Sequence, residues 1–328
     1  MATPVLEIAD LVVAFDTDQG ELRAVDGIGF TLEKGRTLGI VGESGCGKSV
    51  TALAILGLLP EPQGRVLSGK VLLDGKDIAR ASESEMQKIR GRRIAMVFQE
   101  PMTALDPLQR VGDQIAEGLR HHFGLSRSAA RDKAIELLGK VGIPAPAERI
   151  DSYPHELSGG MRQRVMIASA IACEPSVLLA DEPTTALDVT IQAQILALID
   201  DLRRELGTSV VLITHDLGVV ADVADDVAVM YAGRIVERAT KDQLFEKPLH
   251  PYTRGLLESV PGFGNNATRK RLPTIRGLVP DLLHLPAGCR FRDRCDRAID
   301  RCAEVDPPLS TVDGHSVACI RAREEKAS

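Results

Sequence analysis

Between residues 5 and 41, apolar positions come in short runs broken by turn residues. Val5–Phe15, Glu21–Val25 and Gly29–Leu32 mix apolar and polar positions and predict half-buried strands, while Thr37–Val41 is the continuous run of a buried one. Ser49–Leu59 is apolar and helical, closed by Pro60-Glu61-Pro62, and strands are expected at Val66–Leu73 and Ile94–Phe98. From Pro101 to Tyr153 the pattern turns helical, with breaks at Pro144 and Pro146, and Met161–Cys173 is a further helix. Strand and helix then alternate through Val177–Ala180, Ile191–Leu206, Ser209–Thr214, another helix and Val227–Met230. That order predicts an α/β fold whose parallel sheet is covered by helices. The strand-poor stretch 101–173 reads as an inserted helical subdomain. After Pro248 the Pro, Gly and Arg content rises, and Arg269–Arg292 has little periodicity, so the last part reads as a separate tail. No internal repeat is visible.

Composition narrows the class. The 328 residues are 44% hydrophobic and 26% charged, ordinary globular usage with enough apolar residues for a sizeable core and about two domains. Aromatics make up 3% with no Trp, which argues against a stacking platform for single-stranded nucleic acid. A net charge of −6 advertises no basic surface for DNA, RNA or anionic lipid. The longest near-continuous apolar stretch, Val50–Leu59, is about half a membrane span, and the N-terminus lacks the basic flank and apolar run of a signal peptide. A soluble intracellular chain is expected. Cysteine usage is the irregularity: Cys46 and Cys173 are scattered, but Cys289, Cys295, Cys302 and Cys319 crowd the end. An intracellular address argues against disulfides and makes that cluster a metal candidate.

Gly42-Glu43-Ser44-Gly45-Cys46-Gly47-Lys48-Ser49 fits G-x-x-x-x-G-K-[ST] directly after a predicted strand and before a helix. Backbone N–H groups in such a loop point at anionic oxygens, and the helix N-terminus adds its positive end. Lys48 would reach the β- and γ-phosphates and Ser49 would ligate Mg²⁺. Val177–Glu182 is a buried strand ending in two carboxylates: Asp181 suits Mg²⁺ through water, and Glu182 suits general-base activation of the attacking water. Leu157-Ser158-Gly159-Gly160-Met161-Arg162-Gln163 puts a small-residue turn at a helix start, either a second phosphate cradle or a plain helix cap. Cys46 is either a thiol of depressed pKa beside Lys48 or, as preferred here, a spacer whose backbone N–H matters, with alkylation or oxidation sensitivity as a side effect.

Taken in order, these motifs resemble the nucleotide-binding subunit of an ATP-binding-cassette (ABC) transporter, from about residue 5 to the C-terminus. Phe15 stands where the family's adenine-stacking aromatic lies, though an aromatic in a strand also serves as core. Gln99 matches the Q-loop glutamine, an Mg²⁺ ligand and catalytic-site residue, although it also reads as a solvated loop amide. Ser158, Gly159 and Gly160 match the signature, Asp181-Glu182 close Walker B, and Thr185-Ala186-Leu187-Asp188 resembles the D-loop. His215 in Ile213-Thr214-His215-Asp216 resembles the switch histidine, with a helix cap as the alternative. The resemblance implies a P-loop NTPase with a RecA-like core, an antiparallel β subdomain and the helical insertion, all within a nucleotide-binding domain over 1–260. It implies ATP and Mg²⁺ bound by Gly42, Ser44, Gly45, Cys46, Gly47, Lys48 and Ser49. Glu182, Gln99 and His215 would form the catalytic group. It also implies head-to-tail dimers, with each ATP between one P-loop and the other subunit's Ser-Gly-Gly turn.

Three stretches resemble one branch of that family, the ATPases of dipeptide and oligopeptide importers, which includes nickel and glutathione systems: Phe98–Pro107, Tyr153–Leu157 and His250-Pro251-Tyr252-Thr253-Arg254. The tail, 261–328, adds cysteines spaced C-x5-C-x6-C-x16-C. This set resembles the site that holds a [4Fe–4S] cluster in this branch, though Arg290 and Asp296 stand where the family usually has Pro. Arg290, Arg292, Arg294 and Arg297 could offset an anionic cluster. Zinc, with His315 as a candidate ligand, and inert reduced thiols are the alternatives. The implied partners are a sister ATPase, two membrane permease subunits and, indirectly, an extracytoplasmic binding protein, with the chain peripheral on the cytoplasmic face of the cell membrane. A non-transport ABC ATPase acting on nucleic acid is the rival class, disfavoured by the acidic balance and the single cassette.

Overall fold

The structure, a computed structural model, describes residues 4–185, 187–260, 273–312 and 314–322. Its elements begin with β1 (Leu6–Thr17), β2 (Gly20–Leu32), β3 (Thr37–Val41), α1 (Lys48–Leu56), β4 (Gly64–Leu73), β5 (Lys76–Asp77), α2 (Glu83–Ile89) and β6 (Ile94–Val97). Helices α3 (Pro101–Ala104), α4 (Val111–Phe123), α5 (Arg127–Lys140), α6 (Pro146–Arg149) and α7 (Gly159–Ile171) follow without an intervening strand. Next come β7 (Val177–Asp181), α8 (Val189–Leu206), β8 (Ser209–Thr214), α9 (Leu217–Val223), β9 (Asp226–Tyr231) and β10 (Arg234–Thr240). The last elements are α10 (Lys241–Glu246), α11 (Pro251–Glu258), β11 (Ser310–Val312) and β12 (His315–Val317).

Two compact units share the chain, one holding residues 32–36 and 80–212, the other 6–31, 37–79 and the described residues from 213 on. In the first, β6 and β7 pair in parallel, Ile94 opposite Val177 and Val97 opposite Ala180, and every residue of both is buried. Their unbroken apolar runs are what a parallel strand covered on both faces requires. Helices α4 and α5 pack on each other and on α7. Val111, Ile115 and Leu119 line the inner face of α4 at four-residue spacing, the period of one helix face. Helix α2 is invisible to the hydrophobic pattern because it buries only Met86; a capping box of Ser82 and Glu85 starts it instead.

In the second unit, one sheet is antiparallel in the order β2-β1-β4-β5, and in another β11-β12-β10-β9-β3 are neighbours. β3 and β9 run parallel, from Leu38 opposite Asp226 to Val41 opposite Val229, whereas β10 is antiparallel to β9 and to β12. Two sequence expectations change here. Glu21–Val25 and Gly29–Leu32 are one strand, β2, because Gly27 takes φ 72° inside it, the residue type at which a strand can bend without ending. Helix α1 stops at Leu56 rather than Leu59. Gly57 takes the left-handed conformation at φ 61°, and the Leu58 N–H turns back to Leu53 O at 2.8 Å, a helix-ending arrangement that acts before the prolines do.

The described part of the tail is built into this unit. Tyr231, Tyr252, Leu257 and Phe291 share one buried cluster with Val41, Val227 and Val229, and Ile275, Val279, Leu282 and Leu285 pack against it. The rings of Tyr231, Tyr252 and Phe291 lie with centroids 4.6, 5.2 and 5.4 Å apart in tilted and edge-on pairs. That geometry suits aromatic quadrupoles. Periodicity misses this segment because its apolar residues sit in loops and single turns, where neither a period of two nor of 3.6 applies.

Candidate nucleotide site

β3 delivers the chain into Gly42–Lys48, and α1 starts at Lys48. A Cβ on Gly42 would stand 2.2 Å from Met230 O, and one on Gly47, at φ 104°, would stand 2.4 Å from Ala24 O. The loop can therefore lie this close to β9 and β2 only with glycine at both positions. Lys48 is buried, its ammonium donating to Gly42 O at 2.8 Å and Glu43 O at 3.1 Å across the loop it closes. Ser44 and Gly45 are exposed and Ser49 half-buried. Cys46 is fully buried, and burial pushes its thiol up despite Lys48 at 3.9 Å. The expected sensitivity to alkylation is thereby corrected: a protonated, inaccessible sulfur is a poor nucleophile.

In the other unit, the register of β6 on β7 brings Gln99 and Glu182 to one strand end, the edge where ligands collect in such sheets. Asp181, the last residue of β7, is buried. Glu182 adopts φ 43°, and its carboxylate accepts from Gln99 Nε2 at 3.1 Å and from Thr185 Oγ1 at 2.8 Å. Ser158 caps α7 by accepting from the Met161 N–H at 3.3 Å, and both it and Gly159 are exposed. Buried Gln163 donates to Pro183 O at 2.6 Å, which ties this helix start to the loop after β7. Asp188 caps α8 through the Ile191 N–H at 2.9 Å, while Ala186 lies outside the described residues. His215 is exposed just past β8, and Phe15 is half-buried near the end of β1. Phe15, Gly42–Ser49 and His215 thus belong to one unit, and Gln99, Asp181, Glu182 and Ser158–Gly160 to the other.

Cys289, Cys295, Cys302 and Cys319 line one cavity of about 20 Å³ with His250 and Phe291. Burial, and then the other three sulfurs, push the Cys289 thiol up to about 11. Among the described residues no group of three or more His, Cys, Asp or Glu is arranged to hold a metal ion. Two expectations are corrected. Arg290 pairs with Asp26 and Arg294 with Glu43, so these two are engaged away from the cysteines. His315 does not line the cysteine cavity, and its Nε2 instead lies 2.7 Å from a Glu237 carboxylate oxygen, so the structure does not place it as a zinc ligand with the four thiols.

Sequence reasoning missed Glu237, and missed what Tyr252 and Arg294 hold. Glu237, fully buried, accepts from the Leu249 N–H at 2.6 Å and the His250 N–H at 2.9 Å besides facing His315. The Tyr252 hydroxyl accepts from the Glu43 N–H at 2.9 Å. Arg294 forms a two-bond ion pair with the Glu43 carboxylate, at 2.6 and 2.9 Å. The His250–Arg254 stretch was a visible signal, but what its tyrosine reaches lies 209 positions away in the chain. In the same stretch, burial lowers His250 to about 4, in keeping with an imidazole whose Nδ1 accepts from the Tyr252 N–H at 3.1 Å.

The ABC transporter family matches residues 25–185, and the family described as oligopeptide/dipeptide transporter, C-terminal region, matches residues 236–302. A probable peptide ABC transporter ATP-binding protein of Sinorhizobium fredii is 52% identical over 97% of this chain and 95% of its own length. The oligopeptide transport ATP-binding protein OppD of Bacillus subtilis is 53% identical over 96% of this chain and 88% of its own. Among solved structures, a bacterial ABC transporter cassette determined as a dimer superposes with a TM-score of 0.65 at 27% identity, over 72% of this chain and 98% of that one. A post-hydrolysis state of that cassette with ADP and Pi superposes equally well. Cassette and tail are thus matched on one chain, and the chain belongs to the ABC transporter family, in the branch of peptide-transporter ATP-binding subunits.

Proposed function

We propose that this chain binds and hydrolyses ATP to power an importer of di- or oligopeptides at the inner face of the cell membrane. The observation that carries the reading is one chain joining a glycine-built phosphate loop to a peptide-transporter tail. Lys48, with Gly42–Ser49, would bind the phosphates, and Ser49, Gln99 and, through water, Asp181 would hold Mg²⁺. Phe15 would stack on the adenine. Glu182, whose carboxylate is held by Gln99 and Thr185, would take the proton from the attacking water, and His215 would contact the γ-phosphate. The Ser158–Gly160 turn, exposed at Ser158 and Gly159, completes the site of a second subunit in a head-to-tail dimer. ATP then joins the subunits, and hydrolysis loosens them. Division of labour runs at residue 260, with the nucleotide domain before it and the tail after it. Partners are a sister ATPase, two permease subunits and an extracytoplasmic binding protein, with nickel or glutathione as alternative cargo.

Because the Ser158–Gly160 turn serves another subunit's nucleotide, the isolated chain should hydrolyse ATP weakly. Assembly with the sister ATPase and permeases in vesicles should restore turnover and drive peptide uptake. Full cooperative turnover by the purified chain alone would sink the heterodimer, and an assembled complex that turns over without moving peptide would sink the cargo.

The donor set of the tail is that of a thiolate-bound group: four sulfurs line one cavity, and burial first, then the neighbouring sulfurs, push the Cys289 thiol up. Its space of about 20 Å³ is that of one water or ion, so a larger group requires the loops bearing Cys289, Cys295, Cys302 and Cys319 to part. We propose that these four hold a [4Fe–4S] cluster, whose contribution is structural cross-linking and not electron transfer. Anaerobically purified protein should carry about four irons and a visible absorption that fades on reduction. One zinc and no iron would replace the cluster by zinc, and neither metal would leave four inert thiols.

A further inference from the structure

Every polar group of Glu43, the second residue of the phosphate loop, is engaged. Its carbonyl accepts from Lys48 Nζ at 3.1 Å, its N–H donates to the Tyr252 hydroxyl at 2.9 Å, and its carboxylate takes both guanidinium nitrogens of Arg294. The last two partners come from α11 and from the cysteine-bearing segment, not from the loop's own surroundings in sequence. Arg294 is itself fixed. Its side chain is 5% exposed, Nε donates to Arg276 O at 2.9 Å, and the guanidinium lies 5.7 Å from the Tyr231 ring centre and 5.9 Å from that of Phe291. Tyr252 is fully buried.

We propose that the tail sets the affinity of the phosphate loop for ATP through Arg294, a positioning residue that anchors and neutralises Glu43. Two effects act in the same direction. A loop whose N–H groups are already oriented loses less conformational freedom when the polyphosphate arrives. A carboxylate without its arginine would set a negative charge beside a polyanion, and the Glu43 side chain, 31% exposed, is too sheltered for water to screen it fully. A planar two-bond pair also fixes direction, which a lysine ammonium does not. Linkage makes the coupling reciprocal: if the docked tail favours ATP, ATP favours the docked tail by the same factor.

The inference rests on Gly42–Ser49 being the phosphate loop, so the test carries Lys48→Ala beside the Arg294 variants. In the full chain assembled with its membrane partners, Arg294→Met should raise the Kd and KM for Mg·ATP about tenfold. It should leave kcat within about twofold, since Arg294 touches no reacting atom. Arg294→Lys should lose about threefold, keeping the charge but not the fork. Glu43→Gln combined with Arg294→Met should recover most of the loss, because the unpaired carboxylate is gone. Unchanged affinity in Arg294→Met overturns the proposal. So does a double variant as weak as the single one, because the unpaired Glu43 charge would then carry none of the effect. If Lys48→Ala leaves ATP affinity intact, the phosphate-loop assignment itself falls. The unaltered protein gives an independent measurement: Mg·ATP should slow hydrogen exchange of the amides at 289–295 severalfold, and equal exchange with and without nucleotide overturns the coupling.

Discussion

Glutamine at position 182 is expected to leave ATP binding intact and cut hydrolysis by about 10²–10⁴, the usual cost of losing one positioned base. The substitution is nearly isosteric, and an amide oxygen can still accept from Gln99 Nε2 and Thr185 Oγ1, so the strand end keeps its shape. What disappears is the capacity to take a proton from water. The assembled complex should therefore accumulate in its ATP-bound, closed state. Single-turnover hydrolysis measured beside equilibrium ATP binding separates the two quantities. A rate within a few-fold of the unaltered protein would place the base elsewhere, and a parallel loss of binding would make Glu182 a structural residue.

Glu237→Ala should have the largest effect on stability. The carboxylate is fully buried in β10, and its removal strands the N–H groups of Leu249 and His250 and the His315 ring nitrogen at once. Unpairing a buried charged network of this kind costs about 3–5 kcal/mol. At the scale of this chain that corresponds to a Tm lower by roughly 10 °C. Glu237→Gln keeps one acceptor and should lose less. Thermal unfolding together with limited proteolysis after Thr240 tests this, since the released peptide bonds belong to segments that Glu237 ties down. A Tm within about 2 °C of the parent would show that water or a neighbour satisfies those donors.

Much of the cassette is legible in the sequence because its chemistry is local. Gly42–Ser49 is contiguous, the buried run Val177–Asp181 announces its strand, and Ser158 sits one residue before its helix. The fold class and the family follow from those contiguous signals. Contacts joining distant residues are different in kind. Nothing about Glu43 singles it out until Tyr252 and Arg294 are seen to hold it, 209 and 251 positions along the chain. The arginines near the cysteines illustrate the same limit: four cations beside four thiols suggest charge balance, yet Arg290 and Arg294 point to Asp26 and Glu43. Sequence adjacency gives composition, not direction. At Cys46 proximity to Lys48 leaves an activated thiol open beside the preferred spacer reading, and only the packing reveals that burial argues against activation.

Strand β12 has a consequence for how this chain can be divided. It pairs with β10, Glu237 opposite Val317, and so covers a strand that would otherwise present a row of open backbone groups along its outer side. A version cut at residue 260 would lose that cover together with Phe291, which packs edge-on against Tyr231. Bare strand edges beside exposed aromatic surface template pairing between molecules. The cassette is therefore not a detachable motor carrying an accessory. Fusing its first 260 residues to another tail would transplant an adhesive edge, unless the graft also supplied a strand in the register of Ser316 and Val317.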